Sequence, residues 1–265
     1  MLANEALLLI SHGSARYADA ADAIRRHAES LWSGGHFDQV EVAVLNGTPS
    51  VAEALRRIDK PLIRVVPLFM EDGYFTGIAV PRAIAACDSN AVIIGAGRVS
   101  GTHDIASPRR IVMCPPVGVH DGMAGVIERQ ALAACADLGI PSRTAAVVVV
   151  GHGSASAPGR NLALHRHAAR VASTTLFGRA EAACLEEAPF LPDTLAMLRA
   201  HPVIVIGFFA NSGGHARDDV PGLVAAERQA RGTPGPDVRF HGSVIDDPAI
   251  PAIVLDQATG VPAGE

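Results

Sequence analysis

The sequence predicts an α/β protein made of two homologous halves, each a mainly parallel sheet flanked by helices. Three observations carry that expectation. Short β-branched runs alternate with longer Ala-rich amphipathic runs along the chain, which calls for strands joined by crossover helices. The run Val147–Val150 is apolar at every position, as suits a strand covered on both faces. His12-Gly13-Ser14-Ala15 returns as His152-Gly153-Ser154-Ala155, a shift of 140 residues. At that same shift Pro49 matches Pro189, Phe69 matches Phe209, Gly73 matches Gly213, and Val80-Pro81 matches Val220-Pro221. Between residues 7–84 and 147–224, about 20 of 78 positions are identical without a gap. A constant register over that length marks a duplication.

Taken in order, strands are expected at Ala6–Ile10, Val40–Leu45, Leu62–Phe69, Ala91–Ile94, Ile111–Cys114, Ala145–Val150, Ala180–Leu185 and Val203–Phe209. Helices are expected at Arg16–Leu31, Val51–Ile58, Val80–Ala86, Met123–Leu138, Gly159–Leu176, Pro192–Ala200 and Val220–Arg231. Gly139 and Pro141 break the fourth helix, so the halves are taken as residues 1–142 and 143–265. Gly101–Arg110 has no partner in the second half and reads as a loop around Pro108.

Composition narrows the function. The net charge is −5, with no strongly basic run and 4% aromatic residues. A nucleic-acid partner is therefore not expected. No apolar stretch approaches the roughly 20 residues of a membrane span, and the N-terminus lacks a basic region ahead of an apolar one. The chain reads as cytoplasmic. Cys87, Cys114, Cys135 and Cys184 form no C-x-x-C pair and read as buried reduced thiols.

In an open parallel sheet, ligands bind outside the carboxyl ends of the strands. His12 and His152 stand at such ends, each ahead of a Gly-Ser that leads towards a helix. Gly lets the backbone approach closely, and Ser with free amides can hold an anion. The second half adds Glu186 after one strand and His215 after another, in Gly213-Gly214-His215. Three strands of one half thus each present a titratable group at one edge. Two neutral imidazoles and a carboxylate suit a borderline divalent ion such as Co²⁺, Fe²⁺ or Ni²⁺. The same groups can equally act as bases near neutral pH. In the first half, Asn46 takes the place of Glu186 and Phe75 that of His215. The C-terminal half keeps the competent set, and the N-terminal half reads as a decayed copy.

The H-G-S after the first strand, Leu185-Glu186 with Pro189 close behind, and G-G-H followed by Asp219-Val220-Pro221 resemble the sirohydrochlorin chelatases. These are the CbiX and SirB type within the class II chelatases. The resemblance spans nearly the whole chain as two copies. It implies ATP-independent insertion of a divalent metal, Co²⁺ above all, into a sirohydrochlorin-type tetrapyrrole in cobalamin biosynthesis. It also implies His152 and His215 as metal ligands and proton acceptors, with Glu186 as the supporting carboxylate. Gly153, Ser154, His12, Ser14 and Arg217 are the expected substrate contacts, and Arg16 and Arg160 lie close enough to the motifs to pair with substrate carboxylates. No cofactor is expected beyond the metal substrate. The duplication suits one chain acting as a pseudo-dimer, or a homo-oligomer.

Two rival functions keep the same residues. One is iron insertion for siroheme. The other is a non-catalytic carrier of a tetrapyrrole or metal ion. His27 and His167 also match in register but sit mid-helix, where a packed ring is the expectation. Gly95-Ala96-Gly97 has Ser100 at the third glycine position, so dinucleotide binding is not expected.

Overall fold

The computed structural model describes residues 2–13, 17–89, 91–95, 109–232 and 236–262. The N-terminal strands and helices run β1 (Leu2–Gly13), α1 (Asp22–Ser33), β2 (Phe37–Asn46), α2 (Val51–Arg57), β3 (Leu62–Pro67), α3 (Val80–Cys87), β4 (Val92–Ile94) and β5 (Arg110–Met113). Then follow α4 (Met123–Asp137), β6 (Ala146–Gly151), α5 (Leu162–Ser173), β7 (Arg179–Cys184), α6 (Leu191–Met197), β8 (Val203–Gly207), α7 (Val220–Arg231), β9 (Val238–Ser243) and α8 (Ile250–Gly260). Among the described residues, one sheet has the order β2-β1-β3-β5-β4 and the other β7-β6-β8-β9. Paired strands are parallel in both.

Each element follows from its residues. The central strands β1 and β6 are buried on both faces: Ala6–Ile10 and Ala146–Val150 are fully inaccessible to water. At roughly 1.5–3 kcal/mol for each large aliphatic side chain taken out of water, these two strands anchor their sheets. α2 opens with a capping box in which Ser50 and Glu53 satisfy each other's orphan amides, a device that fixes a helix start. Pro81, Pro192, Pro221 and Pro251 stand in the first turns of α3, α6, α7 and α8, where a missing N–H costs nothing. After β3 and after β8 the chain makes a one-turn π-helix, at Phe75–Ala79 and His215–Asp219, before continuing as α3 and α7.

Two elements went unassigned in the sequence, β9 and α8. β9 is an edge strand with Arg239 and His241 along it, so it lacks the apolar run of a central strand. α8 begins between prolines 248 and 251, which reads as a loop until the helix is seen. Of the expected Gly101–Arg110 loop, 101–108 lie outside the described residues, and Arg110 already belongs to β5. Ala96 to Ser100 also lie outside them.

The compact units do not divide at 142/143. One comprises Met1–His120 with Pro248–Glu265, and the other Asp121–Asp247. α4 packs on α5 and β8, and α8 packs on α1 and β3. The first unit thus includes α8 and the second begins with α4, each from the opposite side of residue 142. Arg64 in β3 shows how α8 is held. It is 4% exposed, pairs with Glu5 at 2.5 Å, and donates to the carbonyls of Ala258 and Val261 at 2.7 and 2.6 Å. It thereby satisfies carbonyls that a helix end leaves without partners. α4 is held in its unit by Arg129, which pairs with buried Asp247 at 2.6 Å, and by Gln130, which donates to the Ser243 carbonyl at 3.3 Å. The two repeats of the sequence and the two compact units therefore differ in where these helices belong.

His27 and His167 are buried, at 4% and 0% exposure, the place of packed helix histidines. Cys114, Cys135 and Cys184 are buried free thiols, whereas Cys87 is exposed at the end of α3. Burial pushes the Cys114 thiol up to about 12, so it stays protonated and inert. Among the described residues, no helix is long and apolar enough to cross a membrane.

Candidate active site

In the second unit β6 lies between β7 and β8, so the residues leaving the three strands stand side by side with that of β6 in the middle. His152 follows β6, Glu186 follows β7, and His215 opens the π-turn after β8. The His152 carbonyl accepts from the amides of Leu185 and Glu186 at 3.1 and 2.9 Å, which ties the two strand ends together. The His152 and His215 rings lie 4.4 Å apart, edge to face at 76°. His152 Nε2 is 3.6 Å from Glu186 Oε1. The three side chains are about half exposed, so the cluster is open to a ligand.

The hydrogen bonds set the ring chemistry. His152 Nδ1 is 2.7 Å from the Gly153 carbonyl, which can only accept, so Nδ1 carries the proton. In the neutral ring Nε2 then keeps its lone pair, and that atom faces Glu186. On its other side the His215 ring lies 6.0 Å from Phe209.

Gly153 has φ +79°, and a Cβ there would stand 2.9 Å from Cys184 Cβ and 3.0 Å from Glu187 Cγ. Only glycine combines that backbone with that close approach. Ser154 Oγ accepts from the Ala157 amide at 3.2 Å and lies 3.2 Å from Ser156 Oγ, so its hydroxyl shapes the local turn. Arg217 is exposed within the π-turn, two residues after His215, and Arg160 is exposed ahead of α5. Ser14 and Arg16 lie outside the described residues.

Two acidic residues have visible roles here that the sequence did not assign: Glu187, and Asp219, which stood there only within the Asp219-Val220-Pro221 motif. Asp219 Oδ2 lies 2.7 Å from His215 Nδ1. Glu187, only 7% exposed, accepts from the Gly159 amide at 2.8 Å and from the Asn161 side-chain amide. It staples the loop that runs from His152 to α5. Strand alternation was the available signal: of two adjacent glutamates leaving a strand, one faces out and the other in.

The first unit repeats the scaffold with other side chains. β1 lies between β2 and β3, and Gly13 pairs with Asn46 in the sheet register. His12 Nδ1 lies 3.2 Å from the Gly13 carbonyl. Its ring meets Phe75 edge-on at 5.0 Å, and Phe75 stacks on Phe69 at 5.4 Å and 8°. Tyr74 adds a third ring edge at 5.6 Å. His12 therefore sits among aromatic rings rather than metal donors, while His152 and His215 come together in the other unit. Among the described residues, no three His, Cys, Asp or Glu side chains are arranged to hold a metal ion. His152 and His215 stand as a pair, with the Glu186 carboxylate beside His152.

Two parallel α/β units with paired imidazoles at a strand edge define a protein of the class II chelatase type. The chain belongs to the CbiX family, whose model matches residues 6–134 and again 146–260. A probable sirohydrochlorin cobaltochelatase of Halobacterium salinarum is 28% identical over 98% of this chain and 94% of its own. A multi-domain Deinococcus radiodurans protein with structural similarity to chelatases superposes with a TM-score of 0.76 at 25% identity. The match covers 96% of this chain and 54% of that one, so this chain spans about half its length. Bacillus subtilis SirB with Fe³⁺ superposes with a TM-score of 0.75 at 16% identity, covering 96% and 94%.

Proposed function

We propose that this protein inserts a divalent metal, Co²⁺ foremost, into a sirohydrochlorin-type tetrapyrrole without ATP. The observation that carries the reading is the pair of imidazoles 4.4 Å apart at one strand edge with Glu186 beside them. Insertion exchanges two pyrrole protons for one M²⁺ and strips the ion of water. Neutral imidazoles and a carboxylate can each accept a proton or hold the ion in transit. A chelatase must release the ion to the macrocycle, and a donor set short of a closed cage suits a transient hold better than a resident metal. Gly153, Ser154 and Arg217 lie around this edge and are the contacts we assign to the substrate. His12 and Ser14 remain substrate contacts on sequence grounds alone. The negatively charged chain relies on local arginines and amides to attract a polycarboxylate. Three of the four free cysteines, Cys114, Cys135 and Cys184, are buried, which supports a cytoplasmic setting.

The test mixes protein, sirohydrochlorin and Co²⁺ and follows the visible spectrum against a protein-free control. Accelerated formation of the cobalt chelate over many turnovers is expected. A band shift stoichiometric with protein and without turnover would instead identify a carrier. Iron insertion is the second reading, supported by the iron-bearing Bacillus SirB. Neighbouring first-row ions accept the same nitrogen and oxygen donors, so the assay is run with Co²⁺, Fe²⁺ and Ni²⁺ side by side.

A further inference from the structure

We infer that Asp219 is a positioning residue that locks His215 in one tautomer, with Nδ1 protonated and the Nε2 lone pair free for the site. The inference deepens the metal-insertion reading and rests on it for its kinetic consequence. Asp219 Oδ2 stands 2.7 Å from His215 Nδ1. A carboxylate only accepts, so the ring must donate through Nδ1. His152 reaches the same tautomer by a different device, the Gly153 carbonyl at 2.7 Å. In their neutral form the two neighbouring rings thus carry the proton on Nδ1 and leave the Nε2 lone pair free, the form that binds a metal ion or takes a proton. A carboxylate behind an imidazole also fixes the ring's orientation and strengthens it as a donor.

The duplication supplies an internal control. His215–Asp219 is a π-turn in which the Val220 amide donates to the His215 carbonyl. The first unit makes the same turn at Phe75–Ala79, with the Val80 amide donating to the Phe75 carbonyl. There the imidazole has become Phe75 and the carboxylate has become Ala79. The turn and the helix behind it form without either group, so Asp219 is not required to start α7. Histidine and aspartate occur together or not at all, as expected of a pair that acts as one unit.

The experiment uses the full chain labelled with ¹⁵N. Long-range ¹H–¹⁵N correlation of the imidazoles, at a pH where the rings are neutral, reports each tautomer. In the wild type, His215 is expected to show protonated Nδ1. In Asp219→Ala it shifts towards the Nε2-protonated form, while His152 is unchanged. Metal insertion falls about 10- to 100-fold in kcat with little change in KM for the macrocycle. Asp219→Glu restores most of the rate. Circular dichroism and thermal unfolding check that the variants fold, and the near-isosteric Asp219→Asn replaces Asp219→Ala if the latter does not. An unchanged His215 tautomer in the variant overturns the proposal, as does an unchanged kcat. A wild type that inserts no metal overturns the functional reading instead, and the tautomer measurement still decides the role of Asp219.

Discussion

The two π-turns carry the sequences Phe75-Thr76-Gly77-Ile78-Ala79 and His215-Ala216-Arg217-Asp218-Asp219 on one backbone design. The first exposes an apolar strip, with Tyr74 at 59%, Phe75 at 39% and Ile78 at 42% exposure. The second exposes an imidazole, a guanidinium and two carboxylates. The three strands beneath them follow one order, β2-β1-β3 and β7-β6-β8, while the first sheet carries one more edge strand, β4. Scaffold and side chains are therefore separable here: the sheet edge and the turn form with either set of residues. The replacements came as a set, with Asn46 for Glu186, Phe75 for His215 and Ala79 for Asp219.

The most damaging way to break that contrast is to remove the paired rings. His152→Ala or His215→Ala is expected to abolish metal insertion in the spectrophotometric assay, while His12→Ala has a milder effect. A His12→Ala enzyme weaker than either of the others would reverse the assignment of the working unit. Next in size is Glu187→Ala. It leaves the Gly159 amide and the Asn161 side chain without their carboxylate, and Glu187 has no counterpart in the first unit, where Gly47 stands. A loss of about 1–3 kcal/mol in denaturant unfolding is expected, with a raised KM as the loop after His152 loosens.

Smaller still is the acid response. Hydrogen bonds from Arg199 and then Arg231 hold the Glu227 carboxyl below the usual carboxylate range, against the opposing effect of burial. A depressed folded-state value contributes stability above the ordinary carboxylate range and loses it as the pH falls through the folded value. The matching position in the first unit is Cys87. Glu227→Gln should flatten the acid limb of the stability–pH curve without altering its alkaline side. The mildest change expected is a gain. Asn46→Glu with Phe75→His and Ala79→Asp should rebuild the pair in the first unit, and calorimetric titration with Co²⁺ should then show one additional weak binding equivalent. No added equivalent would mean that the shared backbone is not sufficient.

Much of this architecture was legible in the residues. Val147–Val150 announced a strand buried on both sides because only apolar side chains tolerate that position. The match of His12-Gly13-Ser14 to His152-Gly153-Ser154 announced the duplication, and Asn46 and Phe75 marked where the two copies differ. Glu187 and Asp219 escaped notice because their importance lies in what they touch. Glu187 matters through Asn161, 26 residues away, and Asp219 through a turn whose π geometry no local pattern revealed.

Periodicity and strand-end position are local properties, and the sequence by itself therefore determined the parallel α/β class, the two copies and the strand ends at which His152, Glu186 and His215 stand. Only the tertiary structure decided that α4 and α8 change units, that β9 forms an edge, and that each imidazole has its Nδ1 proton tied down. Those outcomes depend on partners such as Arg64 with Ala258, 194 residues apart. Hydrogen bonds and packing over such separations exist only once the chain has folded.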